Sequence, residues 1–314
     1  MRSALLLCQN GKENEADEIL KDLGFKYRLC PKIFRCEELR VTESDESVGC
    51  VSIRDNILNS YLLDKLYGIF SSGADYWAYH NYNESNPCEY FSYAFQLNGN
   101  GGGLINETAE FLIENLCEDF PAIKDTKYIE WWAHCREHAG SHQLHFDSDD
   151  EGRTQVLNPI VSCVLYLNGG TGGPTLVTDQ ALTSRNLATK GWICPPKKNR
   201  MCMFRGDLLH GVTPGQSDNE LISSHDRRVT LMIAFWSDLK IRNAPGFGSS
   251  RAHPGNESNI PWAKPLNSSI ENAADKFNDR LIHVRPNTIE PIWIPIHGTV
   301  SSTMPQYDEC FQGI

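Results

Sequence analysis

His145-Phe146-Asp147 and, much later in the chain, His210 are the residues whose types could do chemistry together. Two imidazoles and a carboxylate can hold a divalent metal on one face and leave the opposite positions open. That is the ligand set of facial iron(II) sites that activate O₂. The triplet alone is a weak signal, because so short a pattern arises by chance. Its surroundings strengthen it. After the triplet come an apolar run, the turn Gly172-Gly173, further apolar runs, and then His210 behind the turn Arg205-Gly206-Asp207. Residues two apart on a strand share a face, so His145 and Asp147 can point inward together while Phe146 packs the other way.

A second pair follows. Arg228 and Thr230 open the apolar run 228–236 and share a face by the same alternation. A guanidinium takes a carboxylate in bidentate fashion, and a hydroxyl beside it adds a third bond. An arginine aimed into a β core is costly without an anion to meet. Arg227 has the opposite parity and suits the exposed role. Asp149, Asp150, Glu151 and Arg153 follow the triplet on an expected loop. Its acids could pair with a substrate ammonium and Arg153 with a carboxylate, which would suit an amino-acid-like molecule. The plainer reading is a solvated charged loop. Lys197, Lys198 and Arg200 read as a solvated basic turn.

These residues need a scaffold. Apolar runs at 127–134, 160–167, 174–178, 191–194, 200–204, 208–213 and 228–236 alternate with turn signals, the pattern of a β-sandwich or barrel. Ahead of them, 13–24, 55–70 and 106–118 predict helices, with Asp55 as the expected N-cap of the second. The glycine-rich stretch 98–103 predicts a turn or loop. Helices before strands give an α+β chain with a mainly β core. We read one domain over 1–314: helical support in 1–125, the catalytic core in 126–240, and a wrapping C-terminal extension in 241–314. Prolines in 284–296 forbid a central strand there. Trp131 and Trp132 are expected in the core or as its buttress.

The chain has 314 residues, a net charge of -11 and a pI near 5.4. An acidic surface argues against nucleic acid as a partner, and no run approaches the roughly 20 apolar residues of a membrane span. The apolar start Met1–Cys8 is too short for a signal core. Eleven cysteines at irregular spacing, with no CxxC pair, point to reduced thiols and a cytoplasmic, reducing compartment. Oligomeric state is not readable from these features.

His145-Phe146-Asp147, Gly172-Gly173-Pro174-Thr175-Leu176, Phe204–Val212 and Arg228-Val229-Thr230 together resemble the iron(II)/2-oxoglutarate-dependent dioxygenase superfamily over about residues 125–240. The resemblance implies a double-stranded β-helix, or jelly roll. It also implies Fe(II) on His145, Asp147 and His210, and 2-oxoglutarate held by Arg228 and Thr230. Prolyl-hydroxylase-like members often carry Gly-Gly-Glu-Thr and a basic lysine, where this chain has Gly-Gly-Pro-Thr and an arginine. The stretch His142–Gly152 looks like a small-molecule branch near algal kainoid-type oxidative cyclases. The expected activity is oxidation of a C–H bond in a small molecule with O₂, by hydroxylation or cyclisation, releasing succinate and CO₂. Its substrate contacts are expected at Asp149, Glu151 and Arg153. Peptidyl hydroxylation, a non-catalytic jelly-roll binding module and a zinc hydrolase are the competing readings; the last leaves Arg228 and Thr230 unexplained.

Overall fold

A computed structural model describes residues 1–35, 50–82, 91–97, 103–149, 156–216, 226–241, 250–255, 259–268, 281–297 and 307–313. The N-terminal part carries helices α1 (Arg2–Gln9) and α2 (Glu13–Asp22), strands β1 (Tyr27–Leu29) and β2 (Val51–Asp55), helices α3 (Ser60–Phe70) and α4 (Asp75–Tyr79), strand β3 (Ser92–Gln96) and helix α5 (Leu104–Leu116). Eight strands follow: β4 (Tyr128–Glu137), β5 (His142–His145), β6 (Val161–Tyr166), β7 (Thr175–Ala181), β8 (Gly191–Cys194), β9 (Arg200–Arg205), β10 (Leu208–Val212) and β11 (Arg227–Trp236). The last part adds β12 (Ser250–Ala252), α6 (Ala263–Asn267), β13 (Ile282–Val284), β14 (Asn287–Ile289), β15 (Trp293–Pro295) and β16 (Cys310–Phe311).

Two sheets face each other. The larger has the order β12-β3-β4-β11-β6-β9-β2-β13 and the smaller β14-β8-β7-β10-β5. From β4 to β11 the chain visits the larger sheet with β4, β6, β9 and β11 and the smaller with β5, β7, β8 and β10, every pairing among them antiparallel. That winding is a double-stranded β-helix, the jelly roll that the resemblance implies. All seven apolar runs singled out above are strands, and successive side chains along each go to opposite faces of its sheet.

Strand β11 shows the division. Val229, Leu231, Ile233 and Phe235 are buried against Leu62, Leu66 and Leu112 of the backing helices. Each such side chain contributes roughly 1.5–3 kcal/mol on burial. Arg228, Thr230 and Met232, of the other parity, face the space between the sheets. Behind the smaller sheet, α1 and α2 bury Ala4 and Leu20 with Leu144, Leu176, Ile193 and Leu209.

Three expectations need correcting. The helix expected over 55–70 begins at Ser60, and its cap is Asn59, whose side chain accepts from the Leu62 N–H at 2.8 Å. Asp55 instead ends β2, where its carboxylate receives Arg200 (2.6 and 3.0 Å) and Lys197 (2.7 Å). Arg200 is therefore a buried ion-pair partner, not part of a solvated turn. Residues 1–125 are also more than helical support, since β2 and β3 extend the larger sheet on both sides. The tail strands β13 and β14 close sheet edges and β15 edges a small third sheet, the positions that tolerate proline. Gly103, at the end of the glycine-rich stretch, has φ +96°, and a Cβ there would lie 2.0 Å from the Leu266 carbonyl oxygen; residues 98–102 lie outside the described residues. Among the described residues no helix is long and apolar enough to cross a membrane.

Candidate metal centre and ligand pocket

His145 ends β5 and His210 sits mid-way along β10, and the antiparallel register makes them direct cross-strand partners. Their rings lie 4.4 Å apart. Asp147 follows β5 rather than lying on it. Its direction is fixed by Asn158, which donates to its carbonyl at 2.7 Å, and by Ser162, whose hydroxyl donates to Oδ2 at 2.7 Å. The other carboxylate oxygen, Oδ1, stands 3.7 Å from Nε2 of each histidine. Ligand-capable atoms of the three residues all fall within 4.8 Å of one another. Phe146 turns away and packs on the apolar cluster behind the smaller sheet, as alternation predicts.

Both histidines are oriented in the same way. Nδ1–H of His145 donates to the Gln143 carbonyl at 2.8 Å, and Nδ1–H of His210 to the Leu208 carbonyl at 2.9 Å. Each bond reaches two residues back and leaves the Nε2 lone pair toward Asp147, the outer-sphere arrangement that fixes the tautomer of a metal-ligating imidazole. Burial holds His210 down to about 4, so it is neutral and able to ligate near neutral pH. The donor set, one carboxylate oxygen and two imidazole nitrogens, fits a divalent transition metal.

The centre opens into a pocket between the sheets, and strand register arranges the larger sheet's contribution in rows. Trp132, Met232 and Val164 form one row across β4, β11 and β6; His134, Thr230 and Tyr166 form the next; Arg136 and Arg228 face each other in a third. The smaller sheet brings His142, His145, Thr175 and His210. Arg228 is 3% exposed. Its Nη1 donates to the Gly173 carbonyl at 3.1 Å, while its Nε is buried with no hydrogen-bond partner among the described residues. Burial, and then the guanidinium of Arg136, pull its pKa down from the usual arginine value. An arginine stays charged regardless. The Gly172-Gly173 turn is what admits it: a Cβ on Gly172 (φ +85°) would lie 2.9 Å from Arg228 Cδ.

His145, Asp147 and His210 are thus brought together, and Arg228 and Thr230 line the same pocket. Asp149 does not. It is buried, its backbone bridges to Leu157, and its carboxylate accepts the Lys240 N–H at 3.4 Å. Asp150, Glu151 and Arg153 lie outside the described residues. Arg227 turns outward and pairs with Glu137 at 2.7 Å.

Sequence reasoning missed His134, Arg136, His142, Ser162 and Tyr166. Alternation along β4 could have found Trp132, His134 and Arg136 as one face; Trp131, of the other parity, is fully buried against the helices. His142 could not be found that way. It is three residues from His145, yet both line the pocket, because the register slips between the pairs His210–His145 and Val212–His142. Between these pairs two residues of β5, Gln143 and Leu144, oppose the single Gly211 of β10, a bulge that turns both histidines inward. Their rings stack at 4.4 Å, and His134 lies edge-on to His142 at 5.6 Å. Burial and the neighbouring imidazoles and Arg136 hold His142 at about 3, and burial keeps His134 well below its usual value.

No family model matches the chain, and no curated protein does. Among solved structures it is similar to a prolyl-4-hydroxylase from Pseudomonas putida, at 14% identity and TM-score 0.38 over 59% of this chain and 91% of that one. It is also similar to a viral collagen prolyl hydroxylase from Paramecium bursaria Chlorella virus-1, solved as its 2-oxoglutarate complex (14%, TM-score 0.36, 62% and 98%). A third is HygX from Streptomyces hygroscopicus with nickel and 2-oxoglutarate bound (9%, TM-score 0.37, 69% and 99%). The likeness is distant at these values, and the jelly-roll fold of this chain stands on its own strand order.

Proposed function

We propose that this protein is an iron(II)- and 2-oxoglutarate-dependent oxygenase that oxidises a C–H bond of a small molecule and releases succinate and CO₂. One observation carries the reading: the His145, Asp147 and His210 cluster shares its pocket with Arg228, a buried guanidinium that has no carboxylate partner among the described residues. A metal centre alone would suit a zinc hydrolase as well. A buried cation without an acid beside it is costly, and a ligand carboxylate offsets that cost.

In this reading His145, Asp147 and His210 hold the metal, with Ser162 keeping Asp147 Oδ2 occupied so that Oδ1 faces it. Arg228 and Thr230 receive the far carboxylate of 2-oxoglutarate. Iron(II) with 2-oxoglutarate, when bound, supplies O₂ activation and the oxidising power. The apolar row Trp132, Met232 and Val164 excludes water from the space between. Iron(II) and the nine free cysteines among the described residues both suit a reducing, cytoplasmic setting.

The test is direct. Purified protein with iron(II), ascorbate and 2-oxoglutarate should form succinate, at least slowly without a substrate, and Asp147→Ala should abolish both succinate formation and iron retention. Absence of succinate from the wild type, or activity that survives Asp147→Ala, overturns the reading.

A further inference from the structure

The like-charged pair Arg136 and Arg228 is an anomaly that co-substrate binding does not absorb. The two are exact cross-strand partners on β4 and β11, and both line the pocket. Like charges set opposite each other weaken a sheet. One register position away, on the outer face, the same two strands carry the opposite solution: Arg227 faces Glu137 and forms an ion pair with it at 2.7 Å. No acidic side chain lines the pocket among the described residues, and Asp147, at its edge, is committed to the metal centre. Residues that weaken a fold and sit at a cavity mark function.

Charge balance separates the roles of the two arginines. A divalent ion, one carboxylate ligand and two guanidiniums leave three positive charges. A dianionic co-substrate cancels two. One remains, and a pocket of low dielectric holds it at a cost. A carboxylate is satisfied by two N–H groups of a single guanidinium, so Arg228 with Thr230 completes the far end of the co-substrate without help. Arg136 is also the more accessible of the two, half-buried where Arg228 is buried. It is reachable by a group that arrives after the co-substrate is seated. His134 and His142 line the same pocket, their rings edge-on at 5.6 Å, and offer further hydrogen-bonding atoms there.

We propose that Arg136 anchors an anionic group, a carboxylate or a phosphate, on the molecule that this site oxidises. The assignment rests on the oxygenase reading for its meaning, but its test does not. Protein loaded with Zn(II) and 2-oxoglutarate is titrated with propanoate, inorganic phosphate and neutral propanamide, and binding is followed by ligand-observed NMR. Affinity for 2-oxoglutarate is measured in parallel by calorimetry. The wild type should bind an anion and not propanamide; preference for propanoate or for phosphate identifies which group the site takes. Arg136→Gln should weaken that anion about tenfold or more while 2-oxoglutarate affinity stays within about threefold. Arg228→Gln should instead lose 2-oxoglutarate. The proposal is overturned if the wild type binds neither anion, if Arg136→Gln binds the anion as the wild type does, or if Arg136→Gln loses 2-oxoglutarate as Arg228→Gln does. A wild type that fails to bind 2-oxoglutarate sinks the oxygenase reading instead, and the anion titrations, repeated with Zn(II) alone, still decide the role of Arg136.

Discussion

At the metal end of the pocket the atoms that face away from the centre are taken: Nδ1 of His145 and of His210 by backbone carbonyls, Oδ2 of Asp147 by Ser162. At the arginine end only some are: Arg228 Nη1 donates to the Gly173 carbonyl. Arg228 Nε is buried with no partner among the described residues, and the residue directly across the sheet from it is another arginine. The first end is finished by the protein, and its ligand geometry is set before anything binds. The second is left for something else to finish. A site that must hold a metal in one geometry gains from satisfied outer partners. Under the proposed activity, which releases and rebinds an anion each cycle, a charge that the fold does not neutralise serves the second end.

The contrast can be broken from either end. The largest effect is expected from Arg228→Gln, which removes one partner of a buried charge-assisted contact; 2-oxoglutarate affinity should fall about 100-fold or more, with metal affinity nearly unchanged, as calorimetry on the metal-loaded protein would show. Ser162→Ala should do the reverse. Freed from its hydroxyl, Asp147 loses its fixed orientation, and metal affinity should drop roughly 10–100-fold with little change in 2-oxoglutarate binding to protein saturated with metal. Equal losses of both ligands in either variant would mean that the two ends are one coupled unit.

A smaller effect follows from the buried histidines. His210 is held at about 4 and His142 at about 3, both lowered by burial from 6.5. In the unfolded chain they take up protons as pH falls through about 6.5, and in the fold they stay neutral until far lower. The unfolded state therefore binds more protons in between, and stability of the metal-free protein should decline as pH is lowered from about 6.5 toward about 4. Urea midpoints across that range would show it, and His142→Gln should flatten the decline; a midpoint that rises with acidification contradicts the sign. The smallest effect belongs to the outer pair. Glu137→Gln should cost under about 1 kcal/mol and leave both ligands' affinities alone, since half-exposed ion pairs contribute little.

Much of the site was legible in residue order. The jelly-roll strands were readable because short apolar runs alternate with turn signals, and both are local properties of the chain. Arg228 and Arg227 were assigned to opposite faces by parity, and each is found there. The cap of α3 was misread because Asp55 and Asn59 both carry capping side chains; what places Asp55 elsewhere is Arg200, distant in sequence.

The sequence by itself determined which groups can ligate and which strands present them, because ligand chemistry resides in side-chain type and facing in a two-residue period. The tertiary structure alone decided that a bulge in β5 turns His142 inward beside His145, and that β4 and β11 meet in the register that sets Arg136 against Arg228. Register is a relation between strands separated by some ninety residues. Which residue lands opposite which is settled only when both strands are in place in the sheet, and so the cationic end of this pocket exists only once the barrel has closed.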